Sequence, residues 1–193
     1  MSVFKKLIFA MAVLVQFVPA ALSAFGRISG VFTFFAHANA SFPGLPGDYF
    51  RAAYYWMTLR DCAPDARISF GTFFAHPDAT VGRHTYIGAY CILGRVRIGS
   101  HVMLASHVQV LSGNRQHERD DSGTLSSSDV QTFKEISIGD HSWIGAGAIV
   151  MNSVGDHATV GAASIVTAPV AASTVVVGNP ARPLRPAASP KPI

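Results

Sequence analysis

Charged side chains are scarce in this chain of 193 residues, and cysteine is almost absent. Asp, Glu, Lys and Arg make up 13% of the sequence, about half their share in an average soluble domain, while hydrophobic residues make up 49%. This composition excludes an intrinsically disordered chain. The two cysteines, Cys62 and Cys91, are too few for a disulfide scaffold and have no partner pair at zinc-finger spacing. The sequence therefore predicts no metal site.

Clustered basic residues are also missing, although the net charge is +4 and the isoelectric point is near 9.3. No run of five basic residues occurs, so we expect no nucleic-acid partner. Acidic residues are absent from residues 1–47, where the only cations are Lys5, Lys6 and Arg27. The chain fits either a membrane protein or a globular domain that uses its 17 glycines systematically.

Residues 1–60 form an apolar and aromatic extension that we expect to be helical and to associate with a membrane, mainly through residues 1–40. The run 7–25 is apolar apart from Gln16 and Ser23. Two lysines, an apolar run and small residues also describe a cleavable signal peptide. The alternatives are an uncleaved anchor and a tilted, re-entrant or interfacial helix, because Pro19 leaves the run marginal for a span of about 20 residues.

Two aromatic stretches follow that run, at 31–35 and 49–59. They allow two interpretations. The aromatic side chains either lie along the same membrane surface or cap the core of the next domain.

The domain from 61 to 179 contains a repeat with a period of six, which is clearest from 79 to 166. An aliphatic residue recurs at every register position, and glycine follows it in eight of twelve cases. A period of two inside a period of six predicts short strands joined by turns. Three strands close one triangular coil, so the pattern predicts four coils, a ragged coil around 68–74 and a closing coil around 174–177. The aliphatic positions are Val81, Ile87, Leu93, Ile98, Leu104, Val110, Ile138, Ile144, Val150, Val154, Val160 and Val166.

One interruption of the repeat is long. Val110 and Ile138 are 28 residues apart where six would suffice, so the loop 113–134 must leave the coil. Loops of this length are uncommon in compact domains and are usually functional. The steps from Leu93 and from Val150 to the next aliphatic residue are shorter than six, which indicates tightened corners.

The eight histidines fall into three groups. Five lie three residues after an inward aliphatic residue, at corners where a left-handed backbone is tolerated, and are interpreted as turn residues. His37 and His76 have no visible partner. His117 alone lies in the inserted loop, beside Glu118 and Asp120, and is the candidate general base because imidazole accepts protons near neutral pH. The five turn residues are His84, His101, His107, His141 and His157.

The tail 180–193 combines five prolines with three cations. Proline at this density stops the coil and favours an extended, weakly ordered strap.

These features together resemble the hexapeptide-repeat acyltransferases, above all the maltose and galactoside O-acetyltransferase type and its polysaccharide-modifying relatives. The resemblance rests on the repeat, the loop histidine, the runs 142–148 and 160–167, and the closing Gly-Asn-Pro-Ala-Arg at 178–182. It implies an all-β fold, a left-handed parallel β-helix of hexapeptide repeats. It also implies a homotrimer with active sites at the subunit interfaces and acetyl-CoA as the donor.

The resemblance assigns site roles residue by residue. His117 matches the base that takes the proton from an acceptor hydroxyl. Trp143 is expected to pack the corner. The implied cofactor contacts are Ala146, Ala162, Thr167, Arg182 and Arg185, the two arginines near the adenosine phosphates. We assign acceptor binding to Tyr90, Arg115 and Asp120.

Two departures from the family pattern concern the ligands. Ala168 stands where many relatives carry Lys, which removes one phosphate contact. No Asn occurs at 89–91, where the maltose and galactoside enzymes place one, so we expect another acceptor. The resemblance therefore implies an acetyl-CoA-dependent O-acetyltransferase that acts on a glycan or a lipid-linked glycan precursor. Since acetyl-CoA is cytosolic, we expect the protein to lie on the cytoplasmic face of the inner membrane.

The sequence also allows two other functions. One is a zinc carbonic anhydrase of the γ type, which has the same fold and for which His84, His101 and His107 would be the candidate ligands. The other is a non-catalytic solenoid scaffold at a membrane.

Overall fold

The computed structural model describes residues 3–113 and 133–184, which form three helices followed by a parallel β-solenoid. The helices are α1 (Val3–Leu22), α2 (Ser29–Ala40) and α3 (Gly44–Thr58). The strands are β1 (Asp61–Cys62), β2 (Arg67–Ile68), β3 (Phe73–Phe74), β4 (Thr80–Val81), β5 (Tyr86–Ile87), β6 (Ile92–Leu93), β7 (Val96–Ile98), β8 (Met103–Leu104), β9 (Gln109–Val110), β10 (Ile136–Ile138), β11 (Trp143–Ile144), β12 (Ile149–Val150), β13 (Thr159–Val160), β14 (Ile165–Val166), β15 (Val175–Val177) and β16 (Arg182–Pro183).

The strands build three parallel sheets that run the length of the solenoid. The first sheet has the order β1-β4-β7-β10 and continues through bridges at Val154 and Val170. The second has the order β2-β5-β8-β11-β13-β15, with β16 antiparallel at its end, and the third β3-β6-β9-β12-β14. Five coils are complete and a sixth begins. The predicted fold class, a left-handed parallel β-helix with an apolar N-terminal helix, is confirmed.

The solenoid core is a stack of single inward side chains, one from each strand. All twelve aliphatic positions predicted from the repeat are buried. The expectation of a ragged coil around 68–74 is wrong, because Cys62, Ile68 and Phe74 lie six residues apart on β1, β2 and β3 and are equally buried. Phe74 stands where later coils carry an aliphatic residue because this end of the stack meets the helices: its ring lies 4.9 Å from that of Tyr55.

The three corners of the solenoid differ in regularity. Spacing between inward residues is always six from the first sheet to the second and from the second to the third. All departures fall at the corner from the third sheet to the first, which we call the insertion corner; the 28-residue step from Val110 to Ile138 is one of them. There the Lys134 N–H donates to the Ser112 carbonyl at 3.1 Å, so the two ends of the insertion lie side by side.

The corner between the first and second sheets carries a row of histidines and is called the histidine corner. His84, His101, His141 and His157 have φ of 57°, and their rings lie 4.7–4.9 Å apart along the stack. His107 has φ of 62° at the next corner. The interpretation of these five as turn residues is confirmed, since each adopts the left-handed backbone.

The three helices form a layer on the first coil, which we call the helical layer (residues 3–60). Phe32 of α2 and Tyr54 and Tyr55 of α3 are fully buried in the same core cluster as Phe74. The Tyr54 hydroxyl donates to the Phe32 carbonyl at 3.0 Å, and burial raises the pKa of Tyr54 to about 12. These aromatics therefore cap the solenoid core, which is one of the two interpretations left open by the sequence.

Helix α1 is the outermost element of the helical layer. It buries a stripe at i, i+3, i+7 and i+11, formed by Phe9, Ala12, Gln16 and Ala20. Phe9 and Ala12 pack against α3, and Gln16 contacts Asn39 of α2. By length and composition α1 is able to cross a membrane. Of its other large apolar side chains nine are exposed, whereas Ile8 and Val13 are half-buried.

Candidate functional site

The corner between the second and third sheets carries small residues and is called the alanine corner. Ala146 and Ala162 occupy the same position in successive coils, and the N–H of Ala163 donates to the Ala146 carbonyl at 2.8 Å. Both side chains are exposed. The structure thus brings together two of the predicted cofactor contacts on an open strip that a thin, extended ligand can follow.

Two other predicted cofactor contacts lie apart from that strip. Thr167 is at the insertion corner, across the third sheet, where its carbonyl accepts a hydrogen bond from Asn152 Nδ2 at 3.3 Å. Arg182 is exposed on β16, paired with Val177 at the last coil. Residues 182–183 are extended, as expected, but the expectation of weak order is wrong for them, because they pair as a strand with β15.

Four predicted site residues lie outside the described residues. They are His117, Arg115, Asp120 and Arg185. Their assigned roles stay predictions.

Trp143 does not pack the corner as the sequence suggested. It lies on β11 of the second sheet with 54% of its side chain exposed, because it alternates with the inward Ile144. Met103 precedes it in register and Val175 follows it two coils later, and both are exposed. The outer face of the second sheet therefore carries a row that is apolar at Met103, Trp143 and Val175 and is interrupted by Thr159.

The insertion corner holds a charged cluster where the chain re-enters the coil. Glu135 forms ion pairs with Arg60, from the end of the helical layer, and with Arg97 at 2.5 Å. Hydrogen bonds from Arg60 and then Arg97 lower the pKa of Glu135 against the opposing effect of burial. The Arg95 guanidinium donates to the Phe133 carbonyl at 3.1 Å. These contacts tie the end of the insertion to the coil that begins with β7 and to the helical layer.

His76, which has no partner in the sequence pattern, lies beside this cluster. Its ring is 5.3 Å from that of Phe133. Burial, and then the charge of Arg95, lowers the pKa of His76 below its usual value. Both effects favour the neutral form of the imidazole.

A cleft of about 460 Å³ lies between the C-terminal end of α2 and the alanine corner of the first two coils. Its walls are aromatic. The His37 ring meets Phe73 edge-on at 4.5 Å, and Phe70 meets Tyr90 edge-on at 5.4 Å. His107 of the next coil stacks on Tyr90 at 5.2 Å. The lining residues are His37, Ala40, Ser41, Phe70, Gly71, Phe73 and Tyr90.

Gly71 allows the aromatic wall to close over the backbone. Its φ is +75°, and a Cβ atom there would lie 2.4 Å from the Tyr90 ring. The N–H of Gly71 donates to the Ala40 carbonyl at 2.9 Å, which fixes the α2 wall of the cleft to the first coil.

Arg51 of α3 is buried next to that cleft. Its fully buried guanidinium donates to the carbonyls of Ile68 at 2.9 Å, Asn39 at 2.9 Å and Phe42 at 2.8 Å, and pairs with Asp48 at 2.7 Å. Burial lowers the pKa of Arg51, and the contact with Asp48 opposes this effect. Arg51 therefore joins the end of α2 to the solenoid.

Of the cleft residues, only Tyr90 was predicted as a site residue. His37 and Ser41 lie in the extension that the sequence associates with a membrane, and Phe70 and Phe73 lie in the coil taken as ragged. No local signal connects them, because α2 reaches the alanine corner only by folding back over the first coil.

The three histidines considered as zinc ligands do not converge within the chain. His84 and His101 are neighbours at the histidine corner, whereas His107 is at the alanine corner. Across residues 3–113 and 133–184, no three His, Cys, Asp or Glu side chains are grouped so that they can hold a metal ion.

No protein-family model matches this sequence, and no curated protein matches it. Solved structures of acetyltransferases do match the fold. A hexapeptide-repeat-containing acetyltransferase from Vibrio cholerae matches 86% of this chain and 92% of its own, with a TM-score of 0.64 and 22% identity. A galactoside acetyltransferase in complex with coenzyme A matches 85% of this chain and 81% of its own, with a TM-score of 0.61 and 18% identity.

A polySia-specific acetyltransferase matches 65% of this chain, with a TM-score of 0.53 and 24% identity. The match spans 60% of that enzyme's own length. At these identities the comparisons establish the hexapeptide-repeat β-helix fold that the sequence resemblance implied.

Proposed function

We propose that this protein is an acyltransferase that moves an acetyl group from acetyl-CoA to a hydroxyl of a saccharide. The observation that carries the proposal is the coil stack, interrupted once at the insertion corner, whose fold is shared with acetyltransferases. The fold alone fits many functions, so the assignment of the reaction depends on particular residues of the chain.

For the donor, we assign the alanine corner to the pantetheine arm. The support is the exposed strip of Ala146 and Ala162, together with the coenzyme A bound by the galactoside acetyltransferase. Thr167 contacts the donor at the far edge of the third sheet, and Arg182 and Arg185 neutralise its phosphates. Ala168 leaves one phosphate contact of the family unfilled.

For the chemistry, we assign the general base to His117. Its imidazole takes the proton of the acceptor hydroxyl while the oxygen attacks the thioester carbonyl. A backbone N–H stabilises the oxyanion that forms. The carbon–sulfur bond then breaks, and the thiolate leaving group receives the proton from the imidazolium.

For the acceptor, we assign the cleft between α2 and the alanine corner. Its volume is within the range of small-molecule sites, and its walls combine aromatic faces with the polar groups of His37 and Ser41. Arg115 and Asp120 of the insertion contribute further acceptor contacts. Phe34, one turn before His37 on α2, is 66% exposed, which provides an apolar surface for the lipid of a lipid-linked glycan.

For assembly and location, we infer a homotrimer attached to the cytoplasmic face of the inner membrane, with active sites between subunits. The exposed row of Met103, Trp143 and Val175 supports a subunit interface on the second sheet. The exposed apolar side of α1 supports the membrane attachment. The cytoplasmic face follows from the donor, since acetyl-CoA is cytosolic.

The reaction is tested with the purified full-length chain, acetyl-CoA and a panel of saccharides, by measuring released thiol and the mass of the product. We expect His117→Ala to lower kcat/KM by about 100- to 10,000-fold, the usual contribution of a general base. The matched control is His157→Asn, which alters a histidine of the histidine corner and should leave the rate unchanged.

Two results would overturn the proposal. One is an unchanged rate in His117→Ala, which would remove the assigned base. The other is the absence of thiol release with every acyl-CoA and acceptor tried.

A further inference from the structure

We propose that α1 binds an anionic bilayer in the plane of the membrane surface while it stays folded against α3, and that it does not cross the bilayer. This inference deepens the membrane attachment proposed above and does not depend on the acyl-transfer reaction. The helix is long enough for either arrangement, since 20 residues extend about 30 Å. Its contacts decide between them.

The inner side of α1 packs against α2 and α3. Asn39 Nδ2 of α2 donates to Gln16 Oε1 of α1 at 3.1 Å, and both side chains are buried. Phe9 and Ala12 of α1 pack in one cluster with Ala52 and Ala53 of α3. If α1 separated from α2 and α3 to cross a bilayer, the Gln16 side-chain amide would enter the hydrocarbon without its hydrogen-bond partner.

The C-terminal end of α1 is also fixed to α3. The Ser23 hydroxyl donates to the Ala20 carbonyl at 2.8 Å in the turn that follows the helix. Gly26, with φ of +88°, passes so close to the end of α3 that a Cβ atom would lie 2.2 Å from the Thr58 carbonyl oxygen. If α1 crossed the membrane as docked, α3 and its Asp48–Arg51 pair would have to enter the bilayer with it, at a high cost in free energy.

The outer side of α1 is apolar along its whole length. Leu14 is 76% exposed, and Leu7 and Val18 are each 61% exposed. A continuous apolar surface of this kind marks an interaction site. The exposed large apolar residues of the helix are Val3, Phe4, Leu7, Met11, Leu14, Val15, Phe17, Val18 and Leu22.

The charges near α1 indicate a bilayer with anionic lipids. Lys5 and Lys6 lie in the first turn of α1 and Arg27 follows its C-terminal end, and residues 1–47 contain no acid. The first acid, Asp48, is paired with Arg51 and Arg67. An apolar helical side with flanking cations and no acids is the arrangement of interfacial helices that bind anionic headgroups.

Depth measurements on α1 separate the two arrangements. The native cysteines are buried, so single substitutions Leu7→Cys and Val18→Cys in the full-length chain can be labelled selectively with a spin label. These positions lie on the same side of the helix, 11 residues apart, which is about 16 Å along its axis. In vesicles of phosphatidylcholine with phosphatidylglycerol, we expect both labels at the same depth. Ile92→Cys, which is exposed on β6 of the third sheet, should remain in water.

Binding itself is measured by flotation with the same vesicles. We expect Lys6→Gln with Arg27→Gln to weaken binding to anionic vesicles by about fivefold or more, with little effect on pure phosphatidylcholine. Leu7→Gln with Leu14→Gln should weaken binding to both kinds of vesicle by more than about tenfold, while Ile92→Gln, at an exposed apolar residue of the solenoid, should not.

The outcomes distinguish this inference from the proposals on which it rests. Labels that differ in depth by about 16 Å would show a spanning helix: the membrane attachment would stand and the in-plane arrangement would be wrong. A chain that fails to float with any vesicle, yet transfers acetyl groups to a soluble saccharide, would refute the membrane attachment alone.

Discussion

The helical layer and the solenoid place their apolar side chains in opposite ways. Among residues 3–113 and 133–184, fifteen of the 22 large apolar side chains that are exposed lie in the helical layer, although it is the smaller part. Each coil encloses its own inward residues, so the solenoid needs no partner to bury them. The helices cover one end of the coil, and each helix buries only the side that faces its neighbours. Helix α1 is the outermost and packs on α3, so its opposite side stays exposed.

The two regions are also held together differently. The solenoid depends on repeated ladders and stacked aliphatic side chains, and its corners need residues that accept positive φ. The helical layer depends on a few polar anchors, above all Arg51 and the Gln16–Asn39 pair. We therefore expect the repeat to tolerate local change better than a unique anchor does.

The largest expected effect comes from the anchor of the helical layer. Arg51→Met removes the Arg51 hydrogen bonds to three buried carbonyls and its ion pair with Asp48, and we expect it to lower the free energy of unfolding by about 4 kcal/mol. Arg67→Met is the control, because Arg67 also pairs with Asp48 but is 59% exposed, and it should cost less than about 1 kcal/mol. Urea unfolding followed by circular dichroism measures both. Equal losses in the two variants would show that the layer does not depend on the buried anchor.

A smaller effect is expected at the histidine corner. His101→Val places a β-branched residue at φ of 57° and should cost about 1–2 kcal/mol. His101→Asn keeps a side chain that tolerates this backbone and should change stability by less than about 0.5 kcal/mol. Thermal unfolding compares the two variants. If both were equally destabilised, the imidazole stack rather than the backbone would be the stabilising feature.

The smallest effect is expected at the junction between the two regions. Glu135→Gln weakens the pairs with Arg60 and Arg97 and should cost about 1 kcal/mol at pH 7. The pKa of Glu135 is lowered in the folded protein, so its carboxylate stabilises the fold above pH 4.5, and this contribution disappears as the pH falls through the folded value. Stability measured against pH should therefore show a smaller acid-induced loss in the variant. Asp78→Asn, an exposed partner of Arg95, is the control; a loss as large as that of Glu135→Gln would indicate a general charge effect.

Much of the solenoid was predictable because its determinants are local. The inward positions and the left-handed histidines repeat every six residues, and each is imposed by the strand or corner that contains it. Cys62 was missed as a coil position and the coil at 68–74 was expected to be ragged, since Cys62 and Phe74 are not aliphatic; Phe74 is explained only by its contact with Tyr55. The candidate site was less predictable. Tyr90 was found through a family resemblance, whereas His37 and Phe73 meet only because α2 folds over the first coil.

The sequence by itself determined the coil, its turn residues and the point at which the insertion begins. The reason is that a six-residue period gives each strand one inward side chain followed by one corner. It also determined that the first 47 residues are apolar and lack acids. Only the tertiary structure decided which aromatic residues cap the core and which side of α1 stays exposed. Those outcomes depend on contacts between helices and coils far apart in the chain, where burial and hydrogen bonding select one packing that no local pattern specifies.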